Sequence, residues 1–278
     1  MLCDYHVHSE YSDDSEYLME DVITDAISLG IKELAFTDHV DYGIKKDFYE
    51  DHLEYLEFEG QRIPLVNVVY PKYIQQIEEL QKKYPQITIR KGLEFGIQTH
   101  TIEKYNVLFN TYEFDFIILS IHQVENQEFW NKVFQQGRTQ QQYNEKYYQE
   151  LLNVVKLYKN YSVLGHLDLI VRYDEAGAYP FEKVKPMITE ILKQVIADNK
   201  GIEVNTSYHR YGLKDMTPSR DILKLYRELG GKIITIGSDS HKKEHLGAYI
   251  EEAKDELRKL GYEYYCTFDK MQPIYHKL

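Results

Sequence analysis

Short apolar runs that alternate with longer amphipathic stretches constrain this chain more than any other feature. Leu2–Val7, Glu33–Thr37, Ile87–Leu93, Phe114–Ile121, Ser162–Leu164, Gly201–Asn205 and Lys232–Gly237 read as strands. Asp21–Leu29, Pro71–Tyr84, Thr101–Thr111, Gln141–Lys159, Phe181–Asn199, Pro218–Leu229 and His245–Leu260 read as helices. In Pro71–Tyr84, for example, Tyr73, Ile74, Ile77, Leu80 and Tyr84 fall on one helical face. The run FDFIILSI at 114–121 is almost wholly apolar, which suits a strand covered on both faces. Strand-then-helix units of this kind predict a parallel sheet with helices outside it. The closed form is an α/β barrel, whose site lies at the C-terminal ends of its strands. Tyr264–Phe268 reads as a final strand. The long, charged stretch at 41–69 reads as an insertion acting as a lid over the barrel mouth. No repeat and no Gly/Ser or Pro linker divides the chain, so 1–278 reads as one domain.

Composition narrows the partners. A formal charge of −12 disfavours a broad nucleic-acid groove, because neutralising phosphates takes lysine and arginine. The two cysteines, Cys3 and Cys266, form no CxxC pair and no disulfide framework, so a reducing cytoplasm is the expected compartment. No apolar run reaches the roughly 20 residues that span a bilayer, so no membrane anchor is expected. Candidate chemistry begins at His6, where a cleavable leader would remove it. No heptad pattern or long strand edge points to an oligomer. The 26 tyrosines read as half-buried barrel and helix surface.

The histidines gather at strand ends. His6 and His8 (DYHVHS) close the first strand, His39 (FTDHV) the second, His122 (LSIHQ) the fourth and His166 (LGHLD) the fifth; His241 (GSDSH) follows the seventh. Asp14, Glu94 and Asp239 join them on the same rim. At the strand period of two, His6 and His8 face one side and can meet one ion. Imidazole nitrogen with carboxylate oxygen suits zinc, iron(II) or manganese(II) and suits calcium poorly. Each residue alone has an ordinary use: a core histidine bonded to an acid, a helix-terminal acid, a cap. Together they make nine groups on one rim, too many for one ion at three or four each, and costly to bury without a metal.

In order along nearly the whole chain, DYHVHSEYSDDS, FTDHVDYG, KGLEFGI, LSIHQ, LGHLDLI, EVNTS and GSDSH resemble the polymerase and histidinol phosphatase (PHP) family of metal-dependent phosphoesterases. The opening segment and EVNTS are similar to its histidinol-phosphate phosphatase branch. The resemblance implies a distorted (β/α)7 barrel with a trinuclear site. His6, His8, Glu94 and Asp239 would hold the first metal, Glu94, His122 and His166 the second, and His39 and His241 the third. The commonest family pattern, HxHxxxSxH, ends in histidine where this chain has Asp14. Asp14 is therefore the expected third-metal ligand, with its neighbour Asp13 as the possible substitute.

The implied activity is hydrolysis of L-histidinol phosphate to L-histidinol and phosphate, a late step of histidine biosynthesis. Two or three divalent ions would acidify water and balance charge on a small phosphate ester. Glu94, Asp239 and His241 would carry the chemistry through those ions, and no serine nucleophile is needed. Arg172 and Arg210 are the expected phosphate contacts, with Asn205 and His209 beside them. Asp168 and Asp38 are the expected orienters of His166 and His39. One alternative is another phosphoesterase of the family, acting on nucleotides, small phosphate esters or phosphotyrosine. A second is an amidohydrolase-like C–N hydrolase, for which the bridging lysine on a later strand is missing from SIHQ at 120–123. A non-catalytic metal-binding module would leave the arginines without use.

Overall fold

The structure is a computed structural model that describes residues 1–58 and 61–278, with the side chains of 56–63 also outside the description. The strands are β1 (Cys3–Val7), β2 (Glu33–Phe36), β3 (His39–Val40), β4 (Tyr55–Phe58), β5 (Gln61–Pro64), β6 (Thr88–Gly96), β7 (Phe116–Ser120), β8 (Gln123–Val124), β9 (Gln127–Glu128), β10 (Val163–Leu164), β11 (Gly201–Asn205), β12 (Ile234–Gly237), β13 (Tyr264–Asp269) and β14 (Gln272–Lys277). The helices are α1 (Met19–Ser28), α2 (Tyr70–Lys83), α3 (Ile102–Thr111), α4 (Gln140–Leu157), α5 (Phe181–Ala197), α6 (Arg220–Glu228) and α7 (Ile250–Lys259).

One parallel sheet runs β1-β2-β6-β7-β10-β11-β12, with β3 also pairing to β6. Its two edges meet where His8 N–H donates to Ser240 O (2.8 Å) and Ser240 N–H to His6 O (3.2 Å). The sheet therefore curls into a nearly closed seven-stranded barrel with helices outside, as the alternating pattern predicts. All five residues of β7 are buried, in line with its apolar run. Helix starts follow local chemistry: Thr139 accepts from Gln142 N–H while the Gln142 side chain accepts from Thr139 N–H, a reciprocal cap at the head of α4.

Three details depart from the expected pattern. β1 is bulged: its register against β2 slips between Asp4 and Val7, and all five of its residues are buried, as in a strand covered on both faces. The last helix begins at Ile250, not at His245. Ahead of it, Gly247 N–H donates to Asp4 (2.9 Å), Ala248 O accepts from Thr206 (2.7 Å), and Tyr249 sits at φ +60°. The tail strand at Tyr264 lies outside the barrel and pairs antiparallel with β14.

The expected insertion contains the antiparallel pair β4–β5; residues 59 and 60 within it lie outside the description. Its two ends are tied together, Asp41 N–H to Asn67 Oδ1 (2.9 Å) and Asn67 N–H to Lys46 O (2.8 Å). Among the described residues no helix is long and apolar enough to cross a membrane.

Candidate metal centre

Glu94 stands at the middle of the barrel mouth, and its two oxygens face different partners. Oε2 lies 3.2 Å from His6 Nε2, 3.6 Å from His8 Nε2 and 3.1 Å from His39 Nδ1. Oε1 lies 3.1 Å from His122 Nε2 and 2.9 Å from His166 Nε2, and accepts a hydrogen bond from Ser120 Oγ at 2.6 Å. One carboxylate thus joins two histidine sets, as a bridging ligand must. β6 runs through Glu94 to Gly96 and is longer than its apolar run, which sets the carboxylate inside the ladder, opposite His39 and Ile118.

Asp239 closes the first set: its Oδ1 is 3.7 Å from His6 Nε2 and 3.6 Å from His8 Nε2. It follows β12 at φ +56°, a left-handed backbone that an aspartate tolerates in a tight turn. Asp14 Oδ2 lies 3.1 Å from His241 Nε2 and 3.5 Å from His39 Nε2, forming a third corner. His39 stands between the first and third corners, not in the third alone. Among the described residues four overlapping triads, His8–His39–His241, His6–Glu94–His166, His6–His8–Asp239 and His39–Asp41–His122, each place one ligand atom per residue within 4.8 Å of the others. Only the last includes a residue outside the expected ligand set, Asp41.

The donor chemistry fits divalent ions. His8 Nε2 is buried without a hydrogen-bond partner among the described residues, 3.6 Å from both Glu94 and Asp239, a costly state for a nitrogen that nothing else engages, while His39 Nδ1 and His241 Nε2 face carboxylate oxygens of Glu94 and Asp14 at 3.1 Å. On four rings the second nitrogen is held inside the protein: His6 Nδ1 by Glu203 (2.5 Å), His8 Nδ1 by Ser12 (3.1 Å), His122 Nδ1 by Asp41 (2.8 Å) and His241 Nδ1 by Asp239 O (3.0 Å). Metal-ligating imidazoles need that second contact. Burial, reinforced by the His241 and His39 rings, holds His8 well below its ordinary pKa and so neutral. Burial opposes charge on Glu94 and Asp239, yet the histidines around Glu94, and His6, His8, Arg210 and Arg172 around Asp239, keep both carboxyls ionised.

The arginines converge on Asp239. Arg172 Nη2 is 3.3 Å from its Oδ2 and donates to Ser207 Oγ at 2.7 Å; Arg210 Nη2 is 3.4 Å from the same oxygen. The Tyr211 ring packs under both guanidiniums, 4.0 Å from Arg172 Cζ and 5.3 Å from Arg210 Cζ. Asn205 is buried and its amide is used within the protein, accepting from Ser207 and lying 3.3 Å from Glu203, so it braces the wall. His209 is exposed and stacks on Tyr249, centroids 3.8 Å apart.

The expected orienters need correction. Asp168 accepts from Ser219 N–H (2.9 Å) and does not hold the His166 ring. Glu203 instead fixes the His166 main chain, accepting from its backbone N–H (2.9 Å), while the ring's Nδ1 has no hydrogen-bond partner among the described residues. Asp38 binds Ser9 and Ser12, and Ser12 in turn reaches His8, so Asp38 supports His8 and not the His39 ring.

Glu203 and Asp41 are the residues that sequence reading missed. Both left a signal. Glu203 is a lone charge in a buried strand, GIEVN, where an acid is rarely found without a partner. Asp41 follows His39 by two, the spacing that puts two strand residues on one side.

Residues 4–207 match the PHP domain. A histidinol-phosphatase of Lactococcus lactis subsp. lactis (strain IL1403) is 31% identical over 276 residues, 97% of this chain and 95% of that protein. A probable histidinol-phosphatase of Clostridium acetobutylicum is 28% identical over 91% of each chain. The histidinol phosphate phosphatase of Lactococcus lactis, solved in complex with zinc, L-histidinol and phosphate, superposes on this chain with a TM-score of 0.83 at 30% identity, covering 98% of both chains.

Proposed function

Because the chain belongs to the PHP domain family, we propose that it is a metal-dependent phosphomonoesterase that hydrolyses L-histidinol phosphate to L-histidinol and phosphate, a late step of histidine biosynthesis. The observation that carries the reaction class is Glu94, whose two oxygens divide five histidines between two sides beside a pair of arginines. The substrate assignment draws on the relatives, one of which holds zinc, L-histidinol and phosphate.

His6, His8, Glu94 and Asp239 would hold one ion, Glu94, His122 and His166 a second, and Asp14, His39 and His241 a third. Zinc, iron(II) and manganese(II) all suit this donor set. When bound, such ions supply Lewis-acid charge and lower the pKa of water toward neutrality. The protein's own groups do the rest. Neutral His8 offers a lone pair without first losing a proton. Glu203, Ser12 and Asp41 keep three imidazoles from rotating. Arg172 and Arg210 stand at the rim, where a phosphate dianion can exchange with Asp239 for their N–H groups. Fixed donors of this kind match the charge that builds on phosphate oxygens in the transition state.

The whole of 1–278 serves as one catalytic domain, with 41–69 as a lid; the tie from Asp41 to His122 supports that role. Cys3 and Cys266 are free and buried, which fits a reducing compartment such as the cytoplasm. The deciding experiment is a panel of phosphate monoesters assayed with added zinc, manganese or iron(II). Histidinol phosphate should lead in kcat/KM by at least 100-fold over generic esters, on the order of the discrimination a pocket of specific contacts provides. A flat profile would reject the substrate and keep the reaction class.

A further inference from the structure

The first loop presents two adjacent carboxylates to the mouth, and they are used differently. Asp14 Oδ2 faces His241 and His39 at 3.1 and 3.5 Å. Asp13 Oδ1 instead lies 2.5 Å from Lys45 Nζ. Lys45 comes from the insertion and is only 9% exposed, an unusual burial for a lysine unless it is paired. Its ammonium also lies 3.2 Å from Asp41 Oδ2, and the other oxygen of Asp41 holds His122 Nδ1 at 2.8 Å. One cation therefore offsets two carboxylates, each a single step from a candidate ligand: Asp13 by chain adjacency to Asp14, Asp41 through His122.

The choice has an electrostatic consequence. A freed Asp13 would add a second negative oxygen donor to the Asp14–His39–His241 corner, and loss of the ammonium would remove a positive charge facing it. Both changes favour a divalent cation. We propose that Lys45 is a positioning residue that reserves Asp13, leaves Asp14 as the first-loop ligand, and so sets how loosely the ion at that corner is held. The inference rests on the reading of this cluster as a divalent-metal centre. It also explains how an aspartate can serve where the family pattern most often has histidine: the neighbouring acid that would compete with it is tied to the insertion.

The test uses the zinc-loaded protein. Zinc is counted by elemental analysis, and the weakest-held ion is titrated against a chromogenic chelator. K45M should hold that ion about tenfold more tightly than the native chain, whereas K45R, which keeps the charge, should behave as native. The double variant D13N/K45M should return to within about twofold of native affinity, because the released donor is gone and the negative charge lost with Asp13 offsets the positive charge lost with Lys45. D13N alone should keep its full complement of zinc, and D14N should lose one ion per chain. The last pair decides the ligand assignment even if K45M fails to fold. Zinc held as native or more weakly in folded K45M, undiminished tightness in D13N/K45M, or loss of an ion in D13N would each overturn the proposal. A native chain with fewer than two zinc ions would instead remove the metal-centre reading on which it rests.

Discussion

At Gly96 the geometry of a ligand depends on a missing methyl group. A Cβ built there would overlap Asp41 Oδ1 and sit 2.8 Å from His122 Nδ1, the two atoms whose 2.8 Å contact orients the imidazole toward Glu94. The glycine thus makes room for a support that lies behind the ligand. Gly96→Ala should weaken metal binding by roughly 10- to 100-fold, the usual cost of losing such a support, with about 1–3 kcal/mol of overpacking strain. Chelator competition measures the first and denaturant unfolding the second; native affinity in the variant would mean that Asp41 moves aside without cost. The candidate ligands, which the fold brings together, were legible because DYHVHS, LSIHQ and GSDSH put donors where apolar runs stop. Their supports were not, because Glu203 reaches His6 and Asp41 reaches His122 across the barrel. Such pairs depend on which strands become neighbours, which no local spacing encodes.

At the scale of elements, the apolar runs marked the strands and the amphipathic ones the helices, since burial on two faces or on one leaves different periods. The terminal hairpin was only half legible. β13 has the buried core Tyr265–Phe268, but β14 is largely exposed and carries no apolar run to announce it. Its docking draws on Tyr5 of β1. The Tyr5 hydroxyl donates to Glu33 (2.5 Å) and accepts from Phe268 N–H (2.8 Å), while Arg90 spans Glu33 and Asp269. Tyr5→Phe leaves a buried N–H and a carboxylate oxygen without that partner, so unfolding free energy should fall by about 1–3 kcal/mol. Hydrogen exchange in 264–277 should rise with it. Arg90 and Asp115, two further contacts of the hairpin, lie at the N-terminal ends of β6 and β7, away from the mouth, so kcat/KM should hold; a large loss of activity at native stability would contradict this division of the barrel.

Across the whole molecule, protons and metal ions compete for one set of nitrogens. In the metal-free chain, burial works against charge on His122, but Glu94 and Asp41 push its pKa up to about 9. His6 and His39 are also raised, against burial, by Glu203 and Glu94 and by Asp14 and Glu94 respectively. A histidine whose folded pKa exceeds its unfolded value of about 6.5 stabilises fully below that pH, and the contribution disappears as pH climbs through the folded pKa. The metal-free protein should therefore lose stability between about pH 6.5 and 9, as the carboxylates lose their protonated partners. Metal binding requires the same nitrogens neutral, so ions take over the charge that protons supplied. The difference in Tm between zinc-loaded and chelator-treated protein should widen by several degrees across that window. Calorimetric titration with zinc at pH 7 in two buffers of different ionisation enthalpy should show net proton release. A gap that stays constant or narrows with rising pH would mean that these histidines are neutral before the ions arrive, and that the cluster's carboxylates are balanced by something other than protons.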